Sequence, residues 1–158
     1  MLKVIGIDPG LAHTGFGIVE GNGPRIRGHA YGTIRTSKND DLAFRLNHIF
    51  SELCSIFTSE KPNLIVIEGV FSVKQYPKSG ISLGQVCGAV LVAGAQCGVP
   101  TKELPAREVK RVLTGNGNAS KNQMERAVRH LLGRQRVISP SHASDALALA
   151  VVGLLRHL

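Results

Sequence analysis

The sequence lacks the cysteine and leader patterns of secreted and zinc-binding proteins. Its three cysteines, Cys54, Cys87 and Cys97, are an odd number, with no Cys-x-x-Cys pair and no His at zinc-finger spacing. We expect them to be buried thiols of a reduced compartment rather than disulfides or metal ligands. The first apolar run is broken early by Asp8 and Pro9. This break predicts no secretory signal and a cytoplasmic location.

Long apolar runs and a P-loop are also missing. The most apolar stretch, residues 86–95, is interrupted by glycine and is shorter than the roughly 20 residues that span a bilayer. No membrane partner is therefore expected. The absence of a GxxxxGK[ST] pattern argues against a P-loop nucleotide hydrolase.

Acidic residues are few relative to basic ones. Eleven Asp and Glu oppose nineteen Lys and Arg, for a net charge of +8. Nine of the cations, against three Glu, lie between Lys102 and Arg136, so this stretch holds +6 of the total. A basic composition can reflect the host or aid solubility, but its concentration in one stretch favours an anionic partner. Nucleic acid is the commonest such partner.

Length and periodicity predict one α/β domain over residues 1–158. The chain is 43% hydrophobic, enough for a substantial core. Short β-branched runs alternate with helical spacing in the order βββαβαβ, followed by helices, which predicts a mixed sheet built from a hairpin part and parallel crossovers. We expect strands at 2–7, 14–20, 25–36, 64–67 and 99–104, and helices at about 40–60, 79–96 (buried on most of its surface), 106–113, 120–132 and 141–155.

Three acidic residues lie at the edges of these elements. Asp8 ends the first strand, Glu68 ends the fourth, and Asp145 lies in the last helix three residues after His142, on the same helix face. Oxygen ligands from separate elements suit Mg²⁺ or Mn²⁺, and two-metal phosphodiester hydrolysis needs such convergence. The pattern predicts a divalent-metal site.

Each residue also has a simpler interpretation. Asp8 in Asp-Pro-Gly is a common turn residue, and a lone His142 is more often found at a helix start than as a ligand. The segment GIDPGLAHTGFG is similar to the phosphate-binding start of sugar kinases and actin-like ATPases. Those enzymes need a second lobe, for which 158 residues are too few.

Several motifs together carry a specific resemblance. GIDPG followed by TGFG, then LIVIEGVF, LGQVCG, LTGNGNASK and SHASDALALA, occur in order between about Leu2 and Ala150. In this arrangement the chain resembles the bacterial RuvC Holliday-junction resolvases of the ribonuclease H-like superfamily. The resemblance implies a five-stranded mixed sheet flanked by helices, a homodimer, and Mg²⁺-dependent symmetric nicking of four-way DNA junctions. It also suggests a branch-migration motor as a partner.

The resemblance assigns the metal and catalytic positions to Asp8, Glu68, His142 and Asp145, with two ions per site. Members of the family commonly have Asp at the position of His142. An imidazole removes one negative charge and adds a softer donor. We therefore expect Mn²⁺ to support cleavage at least as well as Mg²⁺.

DNA-contact positions follow from the same resemblance. Phe71 matches an aromatic that stacks on a base, Lys110 and Lys121 match cations near the scissile phosphate, and Arg111 is a more general phosphate contact. A loop anchor is the alternative for Phe71, and a solvated helix face is the alternative for Arg111.

The sequence also leaves open the role of two glycines and two alternative functions. Gly84 and Gly88, four residues apart, are assigned to the dimer interface or to close packing of their helix on the sheet. A ribonuclease H-like enzyme acting on RNA or RNA·DNA hybrids would share the carboxylates. A non-catalytic junction-binding module remains open because of His142.

Overall fold

A computed structural model describes residues 1–69 and 77–156. The element order is βββαβαβααα, as predicted from the periodicity. The strands are β1 (Leu2–Asp8), β2 (His13–Asn22), β3 (Arg25–Arg35), β4 (Leu64–Glu68) and β5 (Thr101–Leu104). The helices are α1 (Leu42–Glu60), α2 (Pro77–Gln96), α3 (Ala106–Thr114), α4 (Lys121–Leu131) and α5 (Ser141–Arg156).

The five strands form one mixed sheet in the order β3-β2-β1-β4-β5. Strands β1 to β3 are antiparallel neighbours, whereas β1 pairs with β4, and β4 with β5, in parallel. This confirms the predicted mixed sheet and places the hairpin strands on one side of β1. The carboxyl ends of β1 and β4 consequently lie side by side, with Ile7 opposite Ile67.

Two hydrophobic layers cover the two faces of the sheet. Alternate residues of β1 point to opposite faces, as the strand period requires. On one face Val4 belongs to a cluster with Leu147 and other side chains of α5, together with residues of α3 and α4. On the other face Ile5 belongs to a cluster with Phe57 of α1 and with one side of α2.

The expectation that α2 is buried on most of its surface was wrong. Val86, Val90 and Ala93 are buried toward α1 and the sheet, but Ile81 and Val92 are 65% and 57% exposed. An apolar composition all round the helix did not reveal that neighbours cover only one side of it.

The apolar segment of α2 is longer than the stretch 86–95, which was judged too short to span a bilayer. In the described part of the chain, the segment Lys78–Gln96 is the one helix long and apolar enough to cross a membrane, and only 28% of it is buried. Length therefore does not exclude a membrane span. A membrane span does not follow from this, because core helices of soluble proteins can have the same length and composition.

The three cysteines are all free thiols. Cys87 is buried as expected, whereas Cys54 and Cys97 are only half-buried. Burial and the neighbouring Cys97 raise the pKa of the Cys54 thiol. Burial raises the pKa of the Cys87 thiol to about 11. Thiols with raised pKa values are poor nucleophiles and poor metal ligands at neutral pH, which is consistent with a structural role.

Candidate active site

A cleft of about 260 Å³ opens at the edge of the sheet where β1 and β4 end. Asp8 and Glu68 are the last residues of these two strands. His142 and Asp145 reach the same cleft from the first turns of α5. The structure thus brings together the four residues that the sequence singled out as a metal site.

Glycines in β1 and β2 explain why α5 lies so close to the sheet. Gly6 and Gly17 are register partners, and Gly15 lies opposite Asp8. A methyl group on Gly17 would lie 2.5 Å from the backbone nitrogen of Leu147, and methyl groups on Gly6 and Gly15 would overlap the carbonyl oxygens of Ala146 and His142. Only a strand without side chains at these points lets the α5 backbone rest on it. This contact carries His142 and Asp145 to Asp8.

The carboxylates of Asp8 and Glu68 share a buried environment. Asp8 is only 8% exposed. Burial raises the pKa of Asp8 to about 7, and the charge of Asp145 adds to this, while a hydrogen bond with Glu68 and the charge of Lys121 oppose it. Burial likewise raises the pKa of Glu68 to about 7, reinforced by the Asp8 charge. Two adjacent buried acids cannot both ionise readily without a compensating cation.

Two further contacts connect the acids to their surroundings. The Nδ1 atom of His142 lies 3.0 Å from Oδ2 of Asp8. The ammonium group of Lys121 lies 3.4 Å from Oδ2 of Asp145, but the Lys121 side chain is 73% exposed. An exposed ion pair contributes little to stability. The contact between Lys121 and Asp145 therefore adds little to the stability of the fold.

The chemistry of this donor set fits a divalent cation. Three carboxylates and an imidazole are suitable ligands for Mg²⁺ or Mn²⁺. Burial first, and the charges of neighbouring acids second, raise the pKa values of Asp8 and Glu68, and a bound cation would favour the ionised form of both. Within residues 1–69 and 77–156, no three His, Cys, Asp or Glu side chains yet surround one metal position. Binding of a cation would therefore require these side chains to move closer together.

Comparison with known proteins identifies the family. The family model for "Crossover junction endodeoxyribonuclease RuvC" matches residues 4–153. The chain belongs to the RuvC family. It is 40% identical over 152 residues to RuvC of Prosthecochloris aestuarii, covering 96% of this chain and 81% of that protein. It is 41% identical over 148 residues to RuvC of Coxiella burnetii, covering 94% and 84%.

A solved RuvC structure has the same fold. RuvC of T. thermophilus in complex with a Holliday junction substrate superimposes with a TM-score of 0.93. The two chains are 31% identical, and the match covers 99% of this chain and 95% of that one. The ribonuclease H-like fold predicted from the motifs is thereby confirmed.

The predicted DNA-contact residues of this RuvC chain lie in different places. Lys110 and Lys121 both line the cleft with the carboxylates. Arg111 is exposed on α3 and does not line it. Phe71 lies outside the described residues.

Sequence reasoning missed one residue next to the site. His13, the first residue of β2, stacks on His142, with ring centroids 5.6 Å apart and an interplanar angle of 25°. Its position in GLAHTG, immediately before Thr14 and Gly15 of the same strand, was the available signal. Predicting the stack required knowing that α5 begins directly over Gly15.

Proposed function

We propose that this chain resolves four-way DNA junctions by paired nicking, as a crossover junction endodeoxyribonuclease of homologous recombination and repair. A single endonuclease domain over residues 1–158 would carry the activity. The main support for this proposal is the cleft, which is lined by three carboxylates and two lysines: Asp8, Glu68, Asp145, Lys110 and Lys121. Carboxylates next to lysine side chains suit a metal-dependent attack on a phosphodiester.

We further propose that Asp8, Glu68, His142 and Asp145 hold two divalent cations, Mg²⁺ or Mn²⁺. When bound, such ions activate a water molecule and stabilise the leaving oxygen. The buried, mutually repelling acids support this assignment. His142 supplies the one nitrogen donor of the set.

The lysines would act on the substrate directly. Lys121 lies 3.4 Å from Asp145, and Lys110 lines the same cleft, which supports a role for both in neutralising charge that develops on the scissile phosphate. Water attacks phosphorus in line, and the bond from phosphorus to the 3′ oxygen breaks. The products are a 3′ hydroxyl and a 5′ phosphate, which a ligase can join.

A second copy of the chain is proposed to cover the open side of α2. Ile81, Gly84, Gly88 and Val92 follow one helical face, and Ile81 and Val92 are more than half exposed. Among the described residues, nothing lies within 4 Å of a methyl group built on Gly84 or Gly88. Within residues 1–69 and 77–156 these glycines therefore serve no close packing, which favours the predicted interface over helix-on-sheet contact. A glycine-lined apolar face lets the same helix of a second copy approach closely.

Analytical ultracentrifugation tests the dimer. We expect wild type to sediment as a dimer, Ile81→Asp as a monomer, and Val137→Asp, which alters another apolar side chain that is 65% exposed, as a dimer. A monomeric wild type at micromolar concentration would refute this part of the proposal.

The remaining assignments rest on the family resemblance. Phe71 would stack on a base near the crossover, and Arg111 would hold the DNA backbone from α3. A branch-migration motor would be a further partner, and the protein would act in the cytoplasm.

A comparison of three substrates tests the proposed reaction. Labelled duplex DNA, an RNA·DNA hybrid and a four-way junction are incubated with Mg²⁺ or Mn²⁺. Cleavage confined to the junction is the expected result. Equal or better cleavage of the hybrid would indicate a ribonuclease H-like activity, and binding without nicking under either metal would indicate a junction-binding module.

A further inference from the structure

His13 contacts His142 but does not line the cleft. The two rings are close to parallel, with centroids 5.6 Å apart, within the range of favourable aromatic pairs. The other contact of the His142 ring is the 3.0 Å approach of its Nδ1 atom to Asp8. One ring face and one ring nitrogen are thus engaged by different strands.

The backbone on both sides of this stack is fixed. The Thr14 hydroxyl donates to the Gly10 carbonyl oxygen at 2.7 Å, and the Thr36 amide donates to that of Ala12 at 3.1 Å. These bonds hold the turn that leads into β2. The His142 backbone is held over Gly15, where no side chain would fit.

The ring of His142 would otherwise be free to turn. Its side chain is 40% exposed, and an imidazole rotates about two side-chain bonds. In the described part of the chain, Nε2 makes no hydrogen bond. When Asp8 is ionised, its carboxylate accepts a hydrogen bond from Nδ1–H, and the lone pair of Nε2 is then free to bind another group.

We propose that His13 is a positioning residue, which holds the His142 ring so that Nδ1 faces Asp8 and Nε2 stays available to the site. His13 itself touches none of the reacting groups in this role. The inference rests on the proposed place of His142 in the active site. It predicts that a ring, and not specifically an imidazole, is needed at position 13.

Two variants separate positioning from other roles. His13→Ala removes the ring, whereas His13→Phe keeps a ring that can stack but has no hydrogen-bonding nitrogen. Long-range proton–nitrogen NMR of the metal-free protein reports the state of His142, and the spectrum of His142→Asp assigns its signals among the six histidines. We expect one ring state in wild type and His13→Phe, and averaged or shifted His142 signals in His13→Ala.

Single-turnover nicking of a four-way junction supplies the second readout. We expect His13→Ala to slow nicking roughly 2- to 10-fold, in line with the strength of an aromatic pair, and His13→Phe to recover most of the rate. Equal loss in both variants would overturn the proposal and indicate a direct DNA contact by the exposed His13. Unchanged His142 signals in His13→Ala would also overturn it. If wild type nicks no junction, the proposed function fails, while the NMR comparison still decides the role of His13.

Discussion

The Nδ1 atom of His142 lies 3.0 Å from Oδ2 of Asp8, although 134 residues separate them in the chain. The contact exists because α5 begins over Gly15, the register partner of Asp8. The candidate site is therefore assembled by the close packing of α5 on β1 and β2. Substitutions of the proposed ligands should affect mainly nicking, whereas substitutions that disturb this packing should also lower the stability of the fold.

Asp8→Asn should abolish cleavage and keep junction binding. The amide keeps the size of the side chain but loses the negative charge that a divalent cation needs, so we expect nicking to fall roughly 100-fold or more. The measurement pairs a nicking assay with gel-shift binding. Asp40→Asn, which changes an exposed acid in the turn before α1, should behave like wild type. Parallel loss of binding in Asp8→Asn would mean that Asp8 is structural.

Stability without metal should depend on pH through the buried acids. Asp8 and Glu68 have pKa values near 4 when unfolded and about 7 when folded, so the folded protein binds more protons between these values. The free energy of unfolding contributed by these groups therefore falls as pH rises through this window. In EDTA, the free energy of unfolding of Asp8→Asn should rise relative to that of wild type by about 1–2 kcal/mol between pH 5 and pH 8. This rise corresponds to a few degrees in Tm.

The measured quantity is the difference in free energy of unfolding between Asp8→Asn and wild type, since other groups titrate equally in both proteins. A difference that stays constant from pH 5 to pH 8 would show that Asp8 carries no ionisation penalty.

The metal preference should follow residue 142. A nitrogen donor favours Mn²⁺ over Mg²⁺ relative to a carboxylate. We expect wild type to nick at least as fast with Mn²⁺ as with Mg²⁺, and His142→Asp to shift the ratio of the two rates toward Mg²⁺ by several-fold. A titration of both metals against single-turnover rates measures this. A wild type that is markedly slower with Mn²⁺ would contradict the role of His142.

Gly6→Ala should displace α5 from the sheet. The added methyl group would overlap the carbonyl of Ala146, and backbone cannot move aside without shifting the helix. We expect a loss of about 2–3 kcal/mol in the free energy of unfolding, together with loss of nicking. Gly28→Ala is the matched control, because its methyl group would meet nothing nearer than the Glu20 side chain at 4.0 Å. Chemical denaturation of both variants measures the difference, and similar stabilities would refute this packing argument.

Local patterns predicted the elements well but not their exposure. The β-branched runs and the change to helical spacing were enough to place all five strands and all five helices of the described residues to within a few positions. Which side of α2 is covered depends on the arrangement of its neighbours, and no local pattern reports that. The two half-buried cysteines were misjudged for the same reason.

The candidate site was predictable as a set of residues and not as a set of contacts. Acids at strand ends pointed to Asp8 and Glu68, because parallel neighbours end at one edge of a sheet. The pairing of His142 with Asp8, and the stacking of His13 on His142, depend on how closely α5 approaches β2. The glycines that permit this approach lie in the motifs GIDPG and TGFG, whereas close packing was predicted for Gly84 and Gly88, which have no described atom within 4 Å of an added methyl group.

Each of two copies of the cleft is proposed to nick one of two opposing strands in the same four-way junction. The direct test uses a synthetic mobile junction with each strand labelled in turn, Mg²⁺ or Mn²⁺, and ligation of the products. We predict nicks at symmetric positions in two opposing strands, which ligase seals into linear duplexes. Single unpaired nicks, nicks that ligase cannot seal, or equal cutting of plain duplex DNA would contradict the account.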